Sequence, residues 1–315
     1  MLRWLLELVG ILQRGHRPEE LARRLGVPLE EIKDVQPTYH EFFIAKRSGK
    51  GRRKINAPEE SLKRLQRRIL KRLLGRLEPH PAATGFRKGE SFVKNAARHC
   101  GREVVIHIDL VDFFPSISAQ RVEKYFRVIG WSRSSAECLT RLVTYQDVLP
   151  QGAPTSPCIS NLVCRSLDSR LSKYLARYEA VYTRYADDMT ISLNNLNNSL
   201  AVRHVIDMVL AIIRSEGFRP HVSREKKLDV RRQHQRQTVT GMVVNQKVNL
   251  PRETRRWLRA VAHRGSKVWL PLHMQSLSDR GSSKQPTISR EQFDGWLGLI
   301  QMVRQQRDEF DSGRK

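Results

Sequence analysis

Val181-Tyr182-Thr183-Arg184-Tyr185-Ala186-Asp187-Asp188-Met189-Thr190-Ile191-Ser192-Leu193 sets two adjacent carboxylates between two short runs of β-branched and aromatic residues. Such runs favour strands, so the spacing predicts a tight β-hairpin with the acidic pair at its tip. An Asp-Asp turn taken alone is usually just solvated. Two neighbouring anions, however, repel and desolvate badly unless a cation joins them, and oxygen-only ligation suits Mg²⁺. A second acidic strand is then expected. Val104-Val105-Ile106-His107-Ile108-Asp109 supplies it, followed by Leu110-Val111-Asp112-Phe113-Phe114-Pro115. Three carboxylates from two strands match the ligand set of a two-metal phosphoryl-transfer site.

Composition narrows the partner. The chain has 315 residues, 39% of them hydrophobic, enough for one large or two small domains with a real core. Lys and Arg number 57 against 32 Asp and Glu, a formal charge of +25 spread along the whole length. An excess of that size points to a polyanion, nucleic acid first. No apolar run approaches the roughly 20 residues of a spanning helix, so no membrane partner is expected. Met1-Leu2-Arg3-Trp4-Leu5-Leu6-Glu7-Leu8-Val9 carries an acid and no small-residue cleavage site, and it reads as an amphipathic helix, not a signal peptide. Cys100, Cys138, Cys158 and Cys164 lack C-x-x-C spacing, which argues against zinc or disulfides and fits a cytoplasmic location.

Outward from the acidic strands, residues 1–35 read as helical, with a helix-turn-helix pattern over 18–32 that is more simply a packed helical hairpin. Residues 39–58 read as two strands joined by a basic loop, Lys46-Arg47-Ser48-Gly49-Lys50-Gly51-Arg52-Arg53, either a triphosphate clamp or a backbone-binding loop. Over 61–77 apolar residues recur at helical spacing with Arg and Lys opposite, giving a core face and a basic face open to phosphate. Asn95 and His99, read as lone residues on a helix, fit core or surface hydrogen bonding. Helices are expected at 118–128, 134–142 and 158–178. Gln151-Gly152-Ala153-Pro154-Thr155-Ser156-Pro157 before the last of these forms a rigid turn suited to a base and sugar. A helix over 200–216, a strand pair around 236–245, a basic helix from 251, a loop over 276–289 and a closing helix over 291–310 complete the chain.

Taken in order, these motifs resemble a reverse transcriptase, and more narrowly a bacterial retron reverse transcriptase, from about residue 39 to 245. The resemblance implies an α+β right-hand fold: an N-terminal helical segment (1–35), fingers (36–103, with part of 128–160), an antiparallel-sheet palm (104–245) and a helical thumb (246–315). It places Asp109, Asp187 and Asp188 on the catalytic and metal-binding triad with two Mg²⁺ ions. Phe114 falls on the steric gate against a ribose 2′-OH, Gln151 on the nucleotide-side turn, Arg53 (with Lys50) on the triphosphate clamp, and Lys227 on the downstream lysine. Leu228 departs from the Thr that commonly follows that lysine.

The retron assignment rests on Asn95-Ala96-x-x-His99 and Val239-Thr240-Gly241, which resemble two signatures implicated in handling the cognate structured RNA. Both disfavour a group II intron or diversity-generating enzyme, and no maturase or endonuclease segment is expected. The same resemblance implies RNA-directed DNA synthesis from dNTPs on a cognate non-coding RNA, primed from an RNA 2′-OH to give a branched RNA–DNA product. Antiphage defence, with an effector or toxin protein among the partners, is likewise implied by it.

Overall fold

The computed structural model describes residues 15–45, 51–194, 199–222, 228–268 and 290–312. Met1–Val9, the basic-loop residues 46–50, Lys227 and the 276–289 loop lie outside the described residues. The centre is a four-stranded antiparallel sheet in the order β4-β5-β3-β6: β3 (Val104–Asp109), β4 (Val181–Tyr185), β5 (Asp188–Leu193) and β6 (Leu228–Arg232). Successive side chains on a strand alternate between faces. Val104, Ile106, Ile108, Met189, Ile191 and Leu193 therefore join the main hydrophobic cluster. Asp109, His107, Asp188, Thr190 and Ser192 lie on the opposite face.

The apolar face packs on helices. Leu167, Leu171 and Leu175 come from a helix at Arg165–Leu175, and Val202, Val205 and Val209 from one at Ser199–Ser215, which Gly217 stops in the left-handed region (φ 78°). The helix expected over 158–178 is interrupted: Ser156–Val163 and Arg165–Leu175 meet at Cys164, and a 3₁₀ turn follows. No Gly or Pro marks that break.

Two smaller sheets flank the centre. β1 (Tyr39–Ala45) pairs with β2 (Arg52–Pro58) as the expected hairpin, and β7 (Thr238–Val239) with β8 (Met242–Val243). The β7–β8 loop is Thr240-Gly241, both at positive φ (45° and 84°), as a two-residue primed turn requires. Val239 and Met242 form a second cluster with Val93 and Ala96 of the helix Phe92–Ala97, Val105 of β3, and Leu258 and Val303 of the helices Arg252–Val268 and Arg290–Ser312. Trp257 and Trp296 meet edge to face at its rim, 5.5 Å apart. Among the described residues no helix is long and apolar enough to cross a membrane.

Candidate active site

The expected hairpin is present. β4 and β5 are closed by the pair Tyr185–Asp188, leaving Ala186-Asp187 as a two-residue loop. Ala186 adopts φ 59°, a conformation costly for a residue with a Cβ, so its surroundings must impose it. Arg184 does much of this. Its side chain is fully buried, forks onto Asp168 at 2.9 and 2.7 Å, and donates to the Asn161 amide oxygen (3.1 Å) and the Ala186 carbonyl (3.2 Å). Tyr182 donates to the same Asp168 carboxylate at 2.8 Å. Burial, with the adjacent Asp168 charge, drives the Tyr182 phenol well above its ordinary pKa, so it remains a donor. From the other side Gly85 approaches so closely that a Cβ there would lie 2.8 Å from the Ala186 nitrogen. Asn161 donates to the Gly85 carbonyl (2.7 Å), and Thr84 donates its backbone N–H to the Arg184 carbonyl (2.9 Å). A residue of any larger size would push the loop away.

β3 brings the third carboxylate. Asp109 lies directly opposite Asp188 in the β3–β5 register, on the same face. Like charges facing each other across an antiparallel pair are destabilising. The backbone ties Asp187 into the same corner, because Leu110 N–H donates to the Asp187 carbonyl (3.0 Å) and His221 N–H to that of Asp109 (2.8 Å). His107 stands 3.8 Å from Asp188 and 3.4 Å from the Thr190 hydroxyl.

Among the described residues no three His, Cys, Asp or Glu side chains already form a closed metal cage. Two opposed carboxylates with a third in the adjoining loop nevertheless fit a hard divalent cation that takes one or two carboxylates and completes its shell with water and substrate phosphate.

Phe114 lies half-buried beyond the Asp109 strand, packed against the buried Phe113 (5.4 Å) and facing Phe86 (6.3 Å). Phe86 in turn faces Tyr185 at 6.2 Å and is half exposed. This aromatic rim above the acidic corner includes a residue that sequence reasoning passed over. Its signal was the flanking Gly85-Phe86-Arg87-Lys88-Gly89, in which glycines permit close approach. Gln151 lies in the turn before Ser156–Val163. Its carbonyl accepts from Asn56 N–H of β2 (2.8 Å), and Gly152 (φ 131°) sits where a Cβ would be 2.7 Å from the Asn56 carbonyl. The Gln151 turn and the β1–β2 hairpin are thus joined, and Arg53 is exposed on that hairpin opposite Ile44. Lys50 and Lys227 lie outside the described residues.

Asn95 and His99 are interior. His99 has no exposure and bonds Ser192 Oγ through Nδ1 and Thr183 Oγ1 through Nε2, both at 2.8 Å. Burial lowers its pKa to about 3, so the ring is neutral. Asn95 accepts from Thr84 Oγ1 (2.8 Å), which also reaches the Arg184 carbonyl (3.2 Å). His99 therefore braces both strands of the acidic hairpin, and Asn95 braces β4 through Thr84. Val239 is buried beside them, Thr240 Oγ1 donates to the Phe92 carbonyl (2.7 Å), and Gly241 is exposed at the turn.

A mixed helix and antiparallel-sheet fold with three carboxylates gathered at one corner fits a nucleotidyl-transferring enzyme, and comparison with known proteins agrees. The family described as reverse transcriptase (RNA-dependent DNA polymerase) matches residues 44–242. The chain belongs to that family, and within it to the retron reverse transcriptases. It is 37% identical over 227 residues to the Retron Ec86 reverse transcriptase of Escherichia coli, covering 71% of this chain and 69% of that one. It is 35% identical over 321 residues to the Retron Mx65 reverse transcriptase of Myxococcus xanthus, covering 96% and 67%. The chain is accordingly an enzyme, an RNA-directed DNA polymerase of retron type.

Proposed function

We propose that the chain copies part of a cognate structured RNA into single-stranded DNA, starting from a 2′-OH of that RNA and leaving a branched RNA–DNA product. The observation that carries the polymerase part of this reading is the placement of Asp109 opposite Asp188, with Asp187 in the loop between β4 and β5, while the 2′-OH start and branched product follow from the resemblance to retron enzymes. Asp109 and Asp187 would hold two Mg²⁺ ions, which supply a sharpened hydroxyl nucleophile and neutralise the triphosphate. Asp188 completes the charge cluster and is oriented from β5, beside His107.

The remaining residues position substrate. Phe114, backed by Phe86, stands where it would exclude a ribose 2′-OH. The Gln151 turn, locked to β2, would meet the base and sugar, and Arg53 on that hairpin would reach the triphosphate with Lys50; Lys227 would assist the leaving group. Since no covalent intermediate is required, positioning and electrostatics carry the acceleration. In right-hand terms the four-stranded sheet would be the palm (104–245), the β1–β2 hairpin would belong to the fingers (36–103, with part of 128–160), and the described helices within 1–35 and 246–315 would belong to the N-terminal segment and the thumb. Asn95, His99 and Val239-Thr240-Gly241 would serve RNA handling through the scaffold they share, with exposed Gly241 as its outward point.

The cognate RNA and any effector protein would make this a cytoplasmic antiphage system, as the family resemblance implies. Sequencing nucleic acid that copurifies with the full chain tests the assignment. One recurrent branched RNA–DNA species is the expected result, and random host RNA alone would overturn the retron-type product.

A further inference from the structure

The helix Glu60–Arg72 and the 3₁₀ turn after it place Arg64, Arg68, Arg72 and Arg76 at strict four-residue intervals, all exposed. Four-residue spacing puts like charges on one stripe, where they destabilise the helix unless an anion lies across them. The only carboxylate on the helix, Glu60, is taken up by Lys63 (3.4 Å) and Arg67 (3.6 Å). Arg68 and Arg72 reach backbone carbonyls, of Gly26 (2.9 Å) and Arg24 (3.5 Å), which leaves their charge uncompensated. The Arg64 and Arg76 side chains make no hydrogen bond or ion pair with any described residue. The stripe runs into a cavity of about 670 Å³ whose lining includes Arg72 and Arg76 together with Arg23 and Arg24, the last two already bridged to Glu20 at 2.7 and 2.6 Å. Neither the acidic corner, nor the Gln151 turn, nor the β1–β2 hairpin contributes to that lining.

We propose that this stripe and cavity form a second nucleic-acid site, which grips the phosphate backbone of a base-paired RNA stem. The chemistry selects the partner. Guanidinium forks match phosphate oxygens. None of the exposed large apolar side chains lies on this helix, so the apolar anchors of a protein interface are missing there. Unpaired bases would call for an aromatic stacking platform, yet Trp131 in the cavity is only 6% exposed and already covered by Arg24 at 5.3 Å. From residue 64 to 76 the stripe spans about 18 Å at helical rise.

This inference deepens the proposed RNA-dependent function and rests on it, but its test separates the two. Arg64→Gln with Arg76→Gln removes two cations that have no hydrogen bond or ion pair among the described residues. Affinity for a short RNA hairpin and for an unpaired RNA of equal length is measured by fluorescence anisotropy across a salt series, and extension of a short primer–template is measured on the same preparations. The expected result is hairpin binding weakened about tenfold, with a salt slope shallower by about two, while unpaired RNA and extension stay near wild type. Unchanged hairpin affinity and slope would overturn the site, and equal losses on both RNAs would overturn the base-paired specificity. Wild-type protein that binds the hairpin but extends no primer would sink the polymerase reading alone.

Discussion

Arg184 and Asp168 are both fully buried, so removing either one strands a charge in the interior. Breaking such a pair costs about 3–5 kcal/mol, whereas replacing both partners by apolar groups is far milder. Arg184→Met should therefore lower the urea midpoint sharply and Arg184→Met with Asp168→Leu much less; equal midpoints for the two would show that the pair does not hold the loop. Little of this is legible in the sequence. Arg184 sits in a strand otherwise read for its apolar residues, and Asp168 looks like an ordinary helix charge until the fold joins them. His99 read in the sequence as a core or surface hydrogen-bonder and, by resemblance, as part of an RNA-handling signature; its full burial was not legible there. Its folded-state pKa of about 3 lies below the ordinary His value, and burial is the main cause. Stability from the neutral ring is thus full above the unfolded pKa and is lost as pH falls toward the folded one. Between pH 7 and pH 5 the loss is about 2 kcal/mol. Urea titrations should show His99→Gln losing less over that interval by this amount; parallel losses would remove His99 as the source.

The acidic hairpin was readable because its strands alternate and its loop is two residues long, a local pattern fixed by backbone geometry. Strand β6 was not. Leu228-Asp229-Val230-Arg231-Arg232 is largely polar, and its pairing with β3 is a long-range choice no local pattern announces. The contact between residue 85 and the hairpin loop is likewise tertiary, although Gly85 itself was visible. Gly85→Ala must displace the Ala186 backbone, since the new Cβ would fall 2.8 Å from its nitrogen. A shift near 1 Å at a reacting centre costs about 10²-fold in rate. Gly85→Ala should consequently keep its fold by circular dichroism while primer extension falls by about that factor, and wild-type turnover in this variant would mean the contact does not set the loop.

Across the whole molecule, two segments that resemble retron signatures and lie far apart in sequence converge. The helix carrying Asn95 and the β7–β8 turn share one cluster with the helices Arg252–Val268 and Arg290–Ser312, while His99 reaches the acidic hairpin itself. The segment that resembles the thumb is thereby coupled through packed side chains to the strands that hold the carboxylates. The formal charge of +25 makes a nucleic-acid partner legible at this scale too, though not where it binds. All of it depends on the carboxylates acting as one centre. The most direct measurement is RNA-templated primer extension with Mg²⁺, comparing the wild-type chain with Asp187→Asn/Asp188→Asn and with Asp109→Asn. The wild type should incorporate deoxynucleotides, lose incorporation when the metal is chelated, and exceed each variant by about 10²–10³-fold, the loss expected when a major electrostatic element is removed. An inactive wild type, or variants that extend at the wild-type rate, would contradict it.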